Sequence, residues 1–159
     1  MNIPPVIHII LILIVCIMTT PLFLSLVKFQ FQDTPILNTL SLWKICTGNE
    51  CKSVHDKHFE ITQISPDFDY IRLAFIIGYI LIIISLVLSF YPPIKKYFFI
   101  PLLLGSILCL ISPILLYMNI RYLEIKEQYW EEYDIGSYVQ FVGSSLAIIF
   151  SIYLAFAKF

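Results

Sequence analysis

The sequence predicts a membrane protein: a bundle of four transmembrane helices carrying a small antiparallel β-sheet on its extracellular side. Three observations predict it. Hydrophobic residues make up 59% of the 159 and charged residues 13%, against roughly a quarter charged in a soluble domain, and mean hydropathy is +0.87. Four uncharged apolar stretches are close to the roughly 20 residues that a helix needs to cross the hydrocarbon core. The longest polar segment between them alternates with the two-residue period of strands. The chain is too short for two ordinary soluble domains, so residues 1–159 read as one membrane unit. Net charge is −1, leaving no global basic field to attract nucleic acid or anionic lipid.

The first span is read over 4–27. A cleaved signal peptide competes with it, but the apolar region is too long and Met-Asn-Ile-Pro-Pro supplies no leading Lys or Arg. The first outer loop covers about 28–72. Phe29 and Phe31 alternate with Lys28, Gln30 and Gln32, as in a half-buried strand. Thr39 to Ile45 is a second strand candidate, and Phe59 to Ile64 a third, broken by Ser65-Pro66-Asp67. Thr47-Gly48-Asn49-Glu50 supplies turn residues between Cys46 and Cys51, which suits a disulfide across a tight hairpin. With His55 and His58 the same cysteines also make a set of four possible zinc ligands. The pairs lie closer together than in usual Cys2His2 sites and the compartment is oxidising, so the disulfide is preferred. So small a sheet cannot build a deep core. It must lean on the helix ends, with Trp43 as the expected anchor because it buries a large ring and keeps one donor.

The remaining spans are read over 73–90, 98–118 and 138–157. Small residues at four-residue spacing mark helix contacts in lipid. Gly143, Ala147, Ser151 and Ala155 form the best ladder, with Ala74 and Gly78, Ser85 and Ser89, and Gly105 and Cys109 as shorter ones. Bundle packing is the plain reading of these stripes, and a homo-oligomer face the other. Pro113 should bend the third helix, which stays helix-compatible to Gln128 and so projects beyond the membrane. In the second loop, about 119–137, Tyr129, Trp130 and Tyr133 read as an aromatic belt at the lipid surface, or as an exposed knob for a partner. His8 is the one readily ionisable side chain inside a span. No intramembrane acid or base suggests an ion path, and no catalytic grouping, phosphate loop or cofactor motif is present. The chain is expected not to be an enzyme.

Lys95 and Lys96 in the link between the second and third spans, and Lys158 after the fourth, face no acids. Six acids stand against three Lys from Gln32 to Tyr70, and five against Arg121 and Lys126 from Asn119 to Gly136. The basic side is cytoplasmic, which places both termini inside and both long loops outside, at the plasma membrane or an endomembrane.

Leu42-Trp43-Lys44-Ile45-Cys46, closed by Cys51 in the first loop of a four-span layout, resembles the claudin superfamily. That group includes the claudins, the epithelial membrane and peripheral myelin proteins, and the calcium-channel gamma subunits. Arg72 is similar to the family's Arg at the start of the second span, and Gly136-Ser137-Tyr138 to its small-residue start of the fourth. The resemblance implies a left-handed bundle under a five-stranded outer sheet. It also implies a role in cell–cell contact, paracellular barrier or membrane organisation, or alternatively an auxiliary subunit that alters trafficking or gating of a channel or receptor. Leu42, Trp43 and Arg72 would hold the sheet, Arg72 by pinning the loop to the bundle through its carbonyls or acids. Expected partners are the lipid bilayer and either further copies, in cis or trans, or another membrane protein. Ser41 stands where the family usually has Gly, the disulfide loop is short, and an upstream Trp is missing. Ala157-Lys158-Phe159 offers no PDZ-binding end, so no PDZ scaffold is expected. These departures place the chain nearer the epithelial membrane and peripheral myelin branch.

Overall fold

A computed structural model of the chain describes residues 4–31, 37–53, 67–91, 97–124 and 129–156. Among the described residues four α-helices run, α1 (Pro5–Thr19), α2 (Asp67–Phe90), α3 (Phe99–Glu124) and α4 (Ile135–Phe156), and a 3-10 turn, Thr20–Leu22, continues α1. Each has a segment long and apolar enough to cross a membrane: Pro5–Leu22, Asp69–Phe90, Phe99–Met118 and Ile135–Phe156. Five strands, β1 (Val27–Phe31), β2 (Leu37–Leu40), β3 (Lys44–Thr47), β4 (Glu50–Ser53) and β5 (Tyr129–Tyr133), form one sheet in the order β4-β3-β2-β1-β5. All four pairings are antiparallel.

The bundle is apolar outside and mixed within. On α2, Leu73, Ile77, Ile80, Ile83, Ile84 and Val87 are exposed, while Ser85 and Ser89 are buried. Ser106, Ser112, Ser137, Gln140, Ser144 and Ser151 are buried on α3 and α4. Most of these hydroxyls bond backbone carbonyls, as Ser85 does to Phe98 (2.7 Å) and Ser151 to Ala147 (2.6 Å).

Glycines set the closest crossings. A Cβ on Gly78 would lie 2.8 Å from the Gly105 carbonyl oxygen, and one on Gly105 would lie 2.5 Å from that of Gly78, so α2 and α3 touch backbone to backbone. At Gly143, α4 receives the side chains of Met18 and Ile17 of α1 in the space a Cβ would take. Gly78 of the second span therefore faces Gly105 and Cys109 of the third within the chain. The ladder on the fourth needs one correction. Gly143, Ala147 and Ser151 are buried, but Ala155 is exposed. Each four-residue step overshoots a full helical turn by about 40°, so three steps carry the last rung about 120° off the face.

Boundaries differ where proline and the sheet intervene. The first span ends at Leu22, because Pro21 closes α1 in a 3-10 turn and Val27 already belongs to β1. Pro21 has no N–H for the Ile17 carbonyl, which accepts the Thr20 backbone N–H and, at 2.7 Å, the Thr20 hydroxyl. The second predicted strand, Thr39 to Ile45, is two strands. Ser41 Oγ accepts from Lys44 N–H at 3.0 Å, and Ser41 N–H donates to the Lys44 carbonyl at 2.9 Å. These bonds fold Leu42 and Trp43 into a hairpin tip. The third predicted strand, His55, His58 and the Lys95-Lys96 link lie outside the described residues. The third helix continues past Met118 to Glu124, and 125–128 are again outside them. The aromatic segment read as belt or knob is β5, paired with β1 in the register Trp130↔Gln30 and Val27↔Tyr133.

Candidate functional site

Three local structures shape the sheet and its junction with the bundle. The first is the β2–β3 hairpin tip. Leu42 is 1% exposed and Trp43 40%, so the buried plug of the tip is Leu42, and Trp43 anchors it more by its donor and ring face than by deep burial. Trp43 spends its single donor on the Leu22 carbonyl, 3.0 Å away, at the end of the α1 turn where carbonyls lack helical partners. The Arg72 guanidinium lies 5.0 Å from the Trp43 ring centroid, within cation–π range. Its Nη1 is 3.8 Å from Asp69 Oδ1 on the same helix. Trp43 thus joins the ends of α1 and α2, and Arg72 reaches the loop through the ring.

The second is the β3–β4 hairpin. Gly48 has φ 58, which a two-residue turn with Gly at its first central position requires. Thr47 pairs with Glu50 and Cys46 with Cys51, and the two cysteines are disulfide-bonded with Cα atoms 4.0 Å apart. Alternation along an antiparallel ladder makes the pair next to the closing pair the non-hydrogen-bonded one, where side chains come nearest. With both sulfurs in a disulfide, the zinc reading loses two of its four ligands.

The third structure was not visible in the sequence. Asp134, just ahead of α4, is 5% exposed. Its carboxylate meets Lys28 Nζ at 2.8 Å, accepts the Ile135 N–H at 2.8 Å and takes a bond from the Ser25 hydroxyl. Burial pushes this carboxyl up, but the bonds from Lys28, Ser25 and the Ile135 N–H outweigh it and hold the group below the usual carboxylate range. Around it, Asp134 N–H donates to the Leu26 carbonyl (2.9 Å), Gly136 N–H to that of Ser25 (3.0 Å) and Ser137 Oγ to that of Leu26 (2.6 Å). A Cβ on Gly136 would collide with the Ser25 carbonyl. The result is a clasp between the strand leaving α1 and the strand entering α4.

Beside the clasp, the Tyr133 ring stacks on Tyr117 at 4.4 Å and meets Phe141 edge-on at 5.2 Å. Tyr133 packs back onto α3 and α4, which corrects its reading as an outward knob. The side chains of Tyr129 and Trp130 lie outside the described residues.

Deeper in the bundle, Gln140 Nε2 donates to the Cys109 carbonyl at 2.5 Å, while its Oε1 finds no donor among the described residues. Neither Gln140 nor Asp134 was singled out from the sequence. Pro113, four residues after Cys109, was the available signal for the first. An acid beside the small-residue start of α4 was the signal for the second.

Among the described residues, no three His, Cys, Asp or Glu side chains gather as a metal site. What the arrangement does is mechanical: it fixes a disulfide-tied sheet to one end of a helical bundle. No family model matches the chain, and no curated protein matches it either.

Proposed function

We propose that this chain is a claudin-like multi-pass membrane protein that acts through its sheet in cell–cell contact, paracellular barrier formation or membrane organisation. The observation that carries the reading is the sheet–bundle junction. Leu42, Trp43 and Arg72 of the motif and the Lys28–Asp134 clasp seat a five-stranded sheet on the bundle, and the Cys46–Cys51 bridge ties the β3–β4 hairpin at its edge. A sheet held so firmly is suited to presenting a surface. The aliphatic outer faces of the helices support insertion in lipid, because such faces in water would carry a large hydrophobic cost. Four crossings put both termini on one side, and the flanking Lys residues support the cytoplasm. The sheet then faces the outside, where the disulfide persists.

The test is to express a tagged chain in cells lacking claudins and to image contacts between two expressing cells. Enrichment at those contacts, and raised transepithelial resistance in a monolayer, support adhesion and barrier formation. Diffuse or intracellular signal that changes only with a co-expressed channel or receptor rejects adhesion in favour of an auxiliary subunit.

A further inference from the structure

Pro113 lies inside α3. A proline within a helix has no N–H for the carbonyl four residues before it. Here that carbonyl belongs to Cys109, and it is the one that Gln140 Nε2 of α4 reaches at 2.5 Å. Gln140 is 0% exposed, so neither partner has water as an alternative. On the other side of Cys109, the thiol lies 3.8 Å from the Phe75 carbonyl of α2. Residues 105 and 109 of α3 thus press on Gly78, while the carbonyl of 109 turns to α4.

We infer that Gln140 supplies the hydrogen bond that Pro113 withholds from Cys109, and that this bond sets the seating of α4 on α3. The alternative role for a buried glutamine is generic filling, and an Oε1 with no donor among the described residues argues against it. An amide chosen only for volume leaves a buried acceptor unsatisfied that Met or Leu would not have. The amide is explained by its donor, and the donor by the proline. Below Pro21, the Ile17 carbonyl is served from the chain's own next turn, by the Thr20 N–H and hydroxyl. Gln140 serves the Cys109 carbonyl from a neighbouring helix, so the bond also fixes which face of α4 meets α3, and with it which face presents Gly143 to α1.

The reading predicts a dependence that no packing role would show. Four full-length chains are compared by equilibrium unfolding in mild detergent micelles: wild type, Gln140→Met, Pro113→Ala, and both changes together. In the chain that keeps Pro113, Gln140→Met is expected to lower the folded-to-unfolded ratio by about threefold to about twentyfold, the span measured for interhelical hydrogen bonds in membrane proteins. In the Pro113→Ala background the new backbone N–H serves the Cys109 carbonyl, and Gln140→Met becomes neutral or favourable. A cost of equal size in both backgrounds, or none in either, overturns the inference. If Gln140→Met alone fails to fold, recovery of folding in the double variant supports it, and failure of the double variant overturns it. A carbon-13, oxygen-18 label on the Cys109 carbonyl reads the bond directly by infrared. Its band should rise in wavenumber in Gln140→Met and return in the double variant, and an unmoved band rejects the bond.

Discussion

Lys28 Nζ stands 2.8 Å from Asp134 Oδ1, so the second residue of β1 is ion-paired with the residue just before α4. The two lie far apart in sequence, and the β1–β5 pairing brings them together. The pair closes the junction at the point where the chain leaves one helix and enters another.

The clasp predicts an acid dependence. Because the folded-state pKa of Asp134 is depressed, its stabilisation is whole above the unfolded carboxyl value of about 3.9. It fades as pH falls through the lower folded value. The thermal midpoint in detergent should hold from neutral pH to about 4 on this account and decline below it. Asp134→Asn should cost about 1–3 kcal/mol, the lower part of the range reflecting the partial exposure of Lys28, and should lose that share of the acid decline. An Asn variant with an unchanged acid slope removes Asp134 from the explanation.

Gly136→Ala should destabilise by about 1–3 kcal/mol through overpacking, since its methyl meets backbone that cannot rotate away. Ser137→Ala, which deletes only the bond to Leu26, should cost about 1 kcal/mol. Chemical denaturation of both ranks them, and a harmless Gly136→Ala would mean that α4 can slide at its start.

At the α2–α3 crossing, Gly78→Ala and Gly105→Ala should each weaken the fold by about 1–3 kcal/mol. Each added methyl meets the other glycine's carbonyl, so one substitution already separates the backbones. The double variant should therefore cost less than the sum. Strict additivity in a double-mutant cycle would show that the helices do not move apart as units.

Cys46→Ser opens a short loop, for which chain entropy assigns about 2 kcal/mol. The loss is confined to β3 and β4, so the helices should keep their circular dichroism while delivery to the cell surface falls. Surface biotinylation of Cys46→Ser, Cys51→Ser and the double variant reads this. Normal delivery of all three would make the bridge dispensable.

The helices were legible because their signal is local. Lipid-scale length and absence of charge lie within each segment, and four helices long and apolar enough to cross a membrane overlap the predicted spans, the first ending earlier than expected. The β3–β4 hairpin was legible for the same reason, since Gly48-Asn49 and two cysteines are all its information. The strand pattern near Thr39 misled at its end. Ser41-Leu42-Trp43 reads as continuing apolar strand, and only the bonds between Ser41 and Lys44 make it a turn. Tyr129–Tyr133 carried no strand signal, because Glu131 and Glu132 interrupt the alternation and its partner is β1, about a hundred residues away in sequence.

By itself, the sequence determined that four segments are long and apolar enough to cross a membrane, that the first long loop carries strands, and which cysteines can meet. Those properties follow from residues within one turn or one hairpin of each other. Tertiary structure alone decided that Leu42 is the plug and Trp43 the bridge, that Tyr133 faces inward, and that Gln140 serves the carbonyl beneath Pro113. It also decided that Asp134 is a buried, paired carboxylate and not one more acid in a polar loop. Each of these depends on which groups lose water together. Burial and pairing belong to the assembled neighbourhood, where a carbonyl without a donor or a charge without a partner must find one from another element.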